Sequence, residues 1–246
     1  FNTVLLDEVD LGAAVPWDVA CTADGASICV THASTHEVSV INTEALMKKL
    51  AAIPADQAAA GTGVYSSVVA PPNDLAFLVD LRHRIRIQGR GTWGWLGADR
   101  TEANGPRGLA IIGSKAYAAA YFSDKLAVVD LTQDPRRAVS LIPLGPTPVM
   151  STERLGEMNF HDAWLCFQHW HSCGSCHPDA RVDGLNWDLL NDGLGTPKNT
   201  KNMLLSHKTP PSMASGIRDS AEVAVRSGFK HILFSVQPEE LMSSVD

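Results

Sequence analysis

Within the five residues Cys173-Gly174-Ser175-Cys176-His177, the chain sets two thiols three positions apart and an imidazole directly after them. That order is C-x-x-C-H, the attachment signature of a c-type haem. The thiols add to the haem vinyl groups as thioethers, and the adjoining histidine reaches the iron as its proximal ligand. The cofactor expected is therefore one covalent haem c, anchored by Cys173 and Cys176 with His177 on the metal. Because bacteria attach such haems outside the cytoplasm, the motif also implies a periplasmic or extracellular protein.

Two other chemistries use similar residues. A structural zinc ion would draw on His169, His171, Cys173, Cys176 and His177, but such sites take paired ligands from separated segments, and the sequence holds no second C-x-x-C pair. A redox-active dithiol would sit between a strand and a long helix, whereas this neighbourhood is polar and irregular. The haem reading leaves a second axial position to fill, for which the downstream candidates are His207, Met213 and His231, with Met203 and Met242 behind them. Two strong ligands would close the iron for electron transfer, and an open position would admit peroxide. Arg181, Lys198, Lys201 and Arg218 are candidates to neutralise the haem propionates.

Positioning such a site falls to the segments around it. The 246 residues are 45% apolar, as in an ordinary globular chain of one or two domains, and no apolar run is long enough to span a bilayer. A net charge of -7 with dispersed basic residues argues against nucleic acid as a partner. No export signal stands at Phe1, so any such signal is expected to have been removed or to lie outside this sequence.

Residues 1–145 read as short strands and turns. Trp17 to Ile41, Ser66 to Ile87 and Arg107 to Asp130 each give strand-length segments broken by turn residues, and repeats of this kind mark antiparallel β-propeller blades, here about three and incomplete. Residues 43–60, rich in Ala, Leu, Met and Lys, suit a helical insertion capped by Asn42 or Thr43 and ended by Gly61. Trp93 and Trp95 read as packing anchors at the rim. Cys21 and Cys29 flank a turn and read as buried apolar side chains, with a disulfide across the hairpin as the alternative. After the proline-rich stretch 143–148, residues 150–246 read as a mainly α, loop-rich c-type cytochrome domain, with a helix over 151–170, another over 220–227 and a third beginning after Pro238. Cys166 reads as core.

The stretch His171-Ser172-Cys173-Gly174-Ser175-Cys176-His177-Pro178-Asp179 is followed by Asp183-Gly184-Leu185-Asn186-Trp187-Asp188-Leu189, Lys198-Asn199-Thr200-Lys201, Thr209-Pro210-Pro211 and Gly216-Ile217-Arg218. Together these resemble the di-haem cytochrome c peroxidase-like domains, in particular those that follow a YVTN-type β-propeller. The resemblance implies His231 as the distal ligand. It also implies a second C-x-x-C-H further on and more blades than three, so this sequence is expected to be a segment of a longer protein, or one whose propeller a partner chain completes. The function expected is electron transfer to a redox protein partner, with the propeller as scaffold. The alternatives are a peroxidase-like or oxidase-like enzyme module whose second haem lies elsewhere, and a propeller that binds protein or glycan.

Overall fold

Runs of alternating and β-branched residues between tight turns build the first of two units, Phe1–Pro148 and Val149–Asp246. The structure is a computed structural model and describes residues 3–53, 71–87, 103–136, 138–147, 149–188, 194–213 and 215–246. In the first unit, β1 (Pro16–Cys21), β2 (Ser27–His32), β3 (Glu37–Asn42) and β4 (Arg82–Arg86) form one antiparallel sheet in that order. A second antiparallel sheet follows as β5 (Pro106–Ile112), β6 (Lys115–Ala120), β7 (Lys125–Asp130) and β8 (Val139–Pro143). Each has the four-stranded meander of a propeller blade. Among the described residues the two sheets do not close into a ring.

The number of blades departs from the sequence reading. Where about three were expected, the described residues make two, because Arg82–Arg86 pairs with β3 as the fourth strand of the first sheet. Residues 75–80, expected as a strand, are a run of turns: Asp74 Oδ1 accepts from Ala76 N–H at 2.8 Å, and i to i+3 backbone bonds follow at Val79 and Leu81. Local hydrogen bonds there satisfy the backbone without a partner strand, while Phe77 and Leu78 plug the core below. The expected strand at 66–70, Trp93, Trp95 and the end of the insertion at Gly61 lie outside the described residues. The insertion itself begins as expected, with α1 (Thr43–Ala51) capped by Asn42, whose side chain accepts from Ala45 N–H at 2.8 Å.

The two sheets meet through small side chains. Cys29, Val38 and Ile85 of the first face Ala116, Ala118, Ala127 and Val129 of the second, all buried. Polar ties cross the same junction: Asp18 Oδ2 accepts from Leu109 N–H at 2.8 Å, and Thr31 Oγ1 donates to Arg107 O at 2.8 Å. Register explains the fate of the hairpin cysteines. Cys29 pairs with Ala20 and Cys21 with Ile28, so successive side chains send the two thiols to opposite faces. Both are free; Cys29 is buried as expected, but Cys21 is exposed.

The second unit holds α2 (Thr152–Phe160), α3 (Cys173–Cys176), a two-stranded ribbon of β9 (Asn186–Trp187) and β10 (Lys198–Asn199), α4 (Ala221–His231) and α5 (Glu239–Val245). The helix expected over 151–170 stops at Phe160. Asp162 then accepts from Trp164 N–H at 2.8 Å, and the chain continues through two 3-10 turns, with Gln168 and His169 at positive φ. Conversely, α4 runs past the expected Ser227 to His231. Leu165, Cys166, Phe229 and Leu233 form a small core against which Trp170, Cys173, Leu241 and Met242 pack. Among the described residues, no helix is long and apolar enough to cross a membrane.

Candidate haem-attachment site

The five-residue motif folds as a single helical turn. Ser172 N–H donates to Ser175 Oγ at 2.9 Å and Ser175 N–H to Ser172 O at 3.1 Å, which starts the turn; His177 N–H donates to Cys173 O at 2.9 Å, which closes it. Positions three apart share one face of a helix, so Cys173 and Cys176 stand side by side, neither in a disulfide. Burial pushes the Cys173 thiol up to about 12 and the Cys176 thiol to about 11. Gly174, between them, lies directly against the His161 ring: a Cβ there would stand 2.4 Å from Nδ1.

His177 is half-buried, and its Nδ1 lies 2.8 Å from Lys201 O. A carbonyl can only accept, so Nδ1 carries the proton and the Nε2 lone pair is left for a metal, the tautomer that metal-bound histidines adopt. Burial lowers the pKa of His177, opposed by backbone hydrogen bonding at Lys201. Lys201 thus meets His177 through its backbone carbonyl.

The other candidates lie on different elements and loops. His231 is the last residue of α4, and that helix end is tied to the segment leading into the motif: His171 Nε2 lies 2.9 Å from Ile232 O, and Phe167 N–H donates to Leu233 O at 2.8 Å. His207 and Met213 are exposed, Met203 N–H donates to Ala180 O at 2.8 Å, and Met242 packs into the core. Among the proposed propionate partners, Arg181 is exposed, Lys198 Nζ donates to Thr196 O at 3.1 Å, and Arg218 holds a buried Nε with no acceptor among the described residues.

Three observations fit a covalently held haem. The histidine has the ligand tautomer, a buried guanidinium nitrogen has no acceptor among the described residues, and Val182, Leu185, Leu204, Leu205, Met213 and Ile217, all downstream of the motif, are 42–58% exposed. A c-type haem is largely apolar and would give such side chains a surface to cover. Among the described residues, no three His, Cys, Asp or Glu side chains converge on one point. Neither the Lys201 carbonyl, 24 residues from His177, nor the His171 tie to α4 was foreseeable, because no residue type marks a backbone acceptor.

No family model matches the chain. Over 92 residues, 37% of its length, it is 32% identical to the hydrazine synthase subunit gamma of Kuenenia stuttgartiensis, and the match spans about a fifth (21%) of that protein.

Proposed function

We propose that this chain is a c-type haem protein that carries electrons, with Cys173 and Cys176 as thioether anchors and His177 as proximal ligand. The observation that carries this reading is the hydrogen bond from His177 Nδ1 to Lys201 O, which leaves the other ring nitrogen available to a metal, one residue after a pair of free thiols. When bound, haem c supplies a one-electron iron couple. His231 is the distal ligand in this proposal, fastened by the two ties at the end of α4. Arg218, with its unsatisfied Nε, would neutralise a propionate, with Arg181 and Lys198 as further partners. The blade-like sheets act as scaffold, and Ile112 and Ile142, 68% and 46% exposed on the outer face of the second sheet, suit coverage by further blades from a longer chain or a partner. The net charge of -7 favours a redox partner with a basic surface, in a periplasmic or extracellular setting.

The test is production in a host able to attach haem c, followed by intact mass, haem count and electron paramagnetic resonance. One haem per chain that survives denaturation, with low-spin iron, is the expected outcome. Haem that acidic acetone extracts would refute covalent attachment, and high-spin iron would refute the closed electron carrier. The likeness to an enzyme subunit favours one second reading, a module of a larger redox enzyme whose other haem lies elsewhere. High-spin iron that reacts with peroxide would support it.

A further inference from the structure

Residues 6–13 have no regular secondary structure, yet buried side chains of the first sheet fasten them along its outer face. Arg82 donates from Nη1 to Leu6 O and from Nη2 to Glu8 Oε1 at 2.5 Å. Arg84 donates to Leu11 O at 2.8 Å and Gly12 O at 2.5 Å, and is itself oriented by Glu37, whose Oε1 accepts from Nε at 2.9 Å. His32, on β2, completes the row: its Nδ1 lies 3.0 Å from Ala13 O and its Nε2 2.8 Å from Ser39 Oγ. His32 is 0% exposed, Glu37 2%, and the Arg82 side chain 0%. Beside this row the same face carries Val30 and Ile41, with Val4 and Leu6 packed on their cluster.

We infer that residues 6–13 are an acid-releasable strap, which protonation of His32 lifts from the outer face of the first sheet to bare the apolar side chains beside it. The ring is neutral in the closed state, donating from Nδ1 to a carbonyl and accepting at Nε2 from a hydroxyl. The charged groups around it are Asp7 and Glu8 from the strap, Glu37 from β3, and Arg82 and Arg84 from β4. A proton added there would make a third cation beside two arginines in a site closed to water. Lifting the strap hydrates the ring instead.

Burial, opposed by the Ala13 bond, lowers the closed-state pKa to about 4 from 6.5. Since the closed state binds fewer protons, strap protection is complete above 6.5 and declines as pH falls from there towards 4. Linkage over that window raises strap opening about 20-fold between pH 7 and pH 5.

Hydrogen exchange of the amides of residues 6–13, corrected for the intrinsic pH dependence of exchange, tests this on the whole chain. Exchange should rise by that factor in the native protein and stay flat in His32→Asn, which keeps a donor for Ala13 O but does not titrate. No rise in the native protein overturns the inference, as does an equal rise in His32→Asn, which would assign the release to Asp7 or Glu8. Should the variant not fold, the His32 ring resonance decides: strap opening that tracks its titration supports the strap, and titration without opening overturns it.

Discussion

Gly174→Ala inside the attachment motif is the sharpest probe of the second unit. An added Cβ would stand 2.4 Å from His161 Nδ1 and 2.7 Å from Cε1, whereas non-bonded heavy atoms settle about 3.5–4.0 Å apart. The ring must retreat by about 1 Å or the helical turn must shift, and overpacking of this kind costs about 1–3 kcal/mol. Exchanging Gly for Ala in a helix returns up to about 1 kcal/mol, less in one turn held mainly by Ser172 and Ser175. A net loss of about 1–2 kcal/mol lowers the melting point of a unit of roughly 100 residues by about 5–15 °C. In the proposed haem-loaded form, melting followed at the haem absorption band would isolate the second unit from the first. The companion is His161→Ala: if the clash is with the ring, the Gly174→Ala loss disappears in the His161→Ala background, a coupling of about 1 kcal/mol or more. An equal loss in both backgrounds, or none in either, would refute the account.

Gly156→Ala should be more damaging, since its Cβ would stand 2.0 Å from Ser244 O, a backbone atom that cannot step aside; faster hydrogen exchange across Glu239–Val245 would report that α5 has come away from α2. Cys21 should be alkylated readily at pH 8 while Cys29, whose pKa burial raises to about 11, stays unmodified in the folded protein, as peptide mass analysis would show. Glu37→Gln should destabilise the first unit in chemical denaturation by less than the roughly 3–5 kcal/mol of a fully broken buried pair, because buried Arg84 loses its nearer carboxylate but keeps Glu8 at 3.7 Å. In the proposed haem-loaded form, His231→Ala should convert low-spin iron to high-spin; an unchanged spectrum would hand the distal position to another residue.

What the sequence made legible was contiguous. The attachment motif is a single run of five residues whose chemistry is carried by their types, and β1 to β3 announce themselves through alternation and an Asp-Gly turn. Local competition misled the reading elsewhere. Residues 75–80 are apolar enough for a strand, but the Asp74 side chain and i to i+3 bonds hold them as turns; the helix expected over 151–170 ends where Asp162 offers its carboxylate to the backbone. The fourth strand of the first sheet follows β3 across a long insertion, so it read as the end of a separate repeat. Contacts made by backbone atoms were invisible in principle: Lys201 attracts notice for its ammonium, while the group that meets His177 is a carbonyl of a kind that every residue has.

The ties of Asp18 and Thr31 to β5 bear on how this chain avoids aggregation. β5 is an edge strand, and an edge offers unpaired N–H and C=O groups to any passing strand. The Leu109 N–H and the Arg107 carbonyl are already engaged by side chains of the neighbouring sheet. An intruding chain would have to break both bonds before it could pair at these residues, so the junction that joins the two sheets also shields this edge against strand addition.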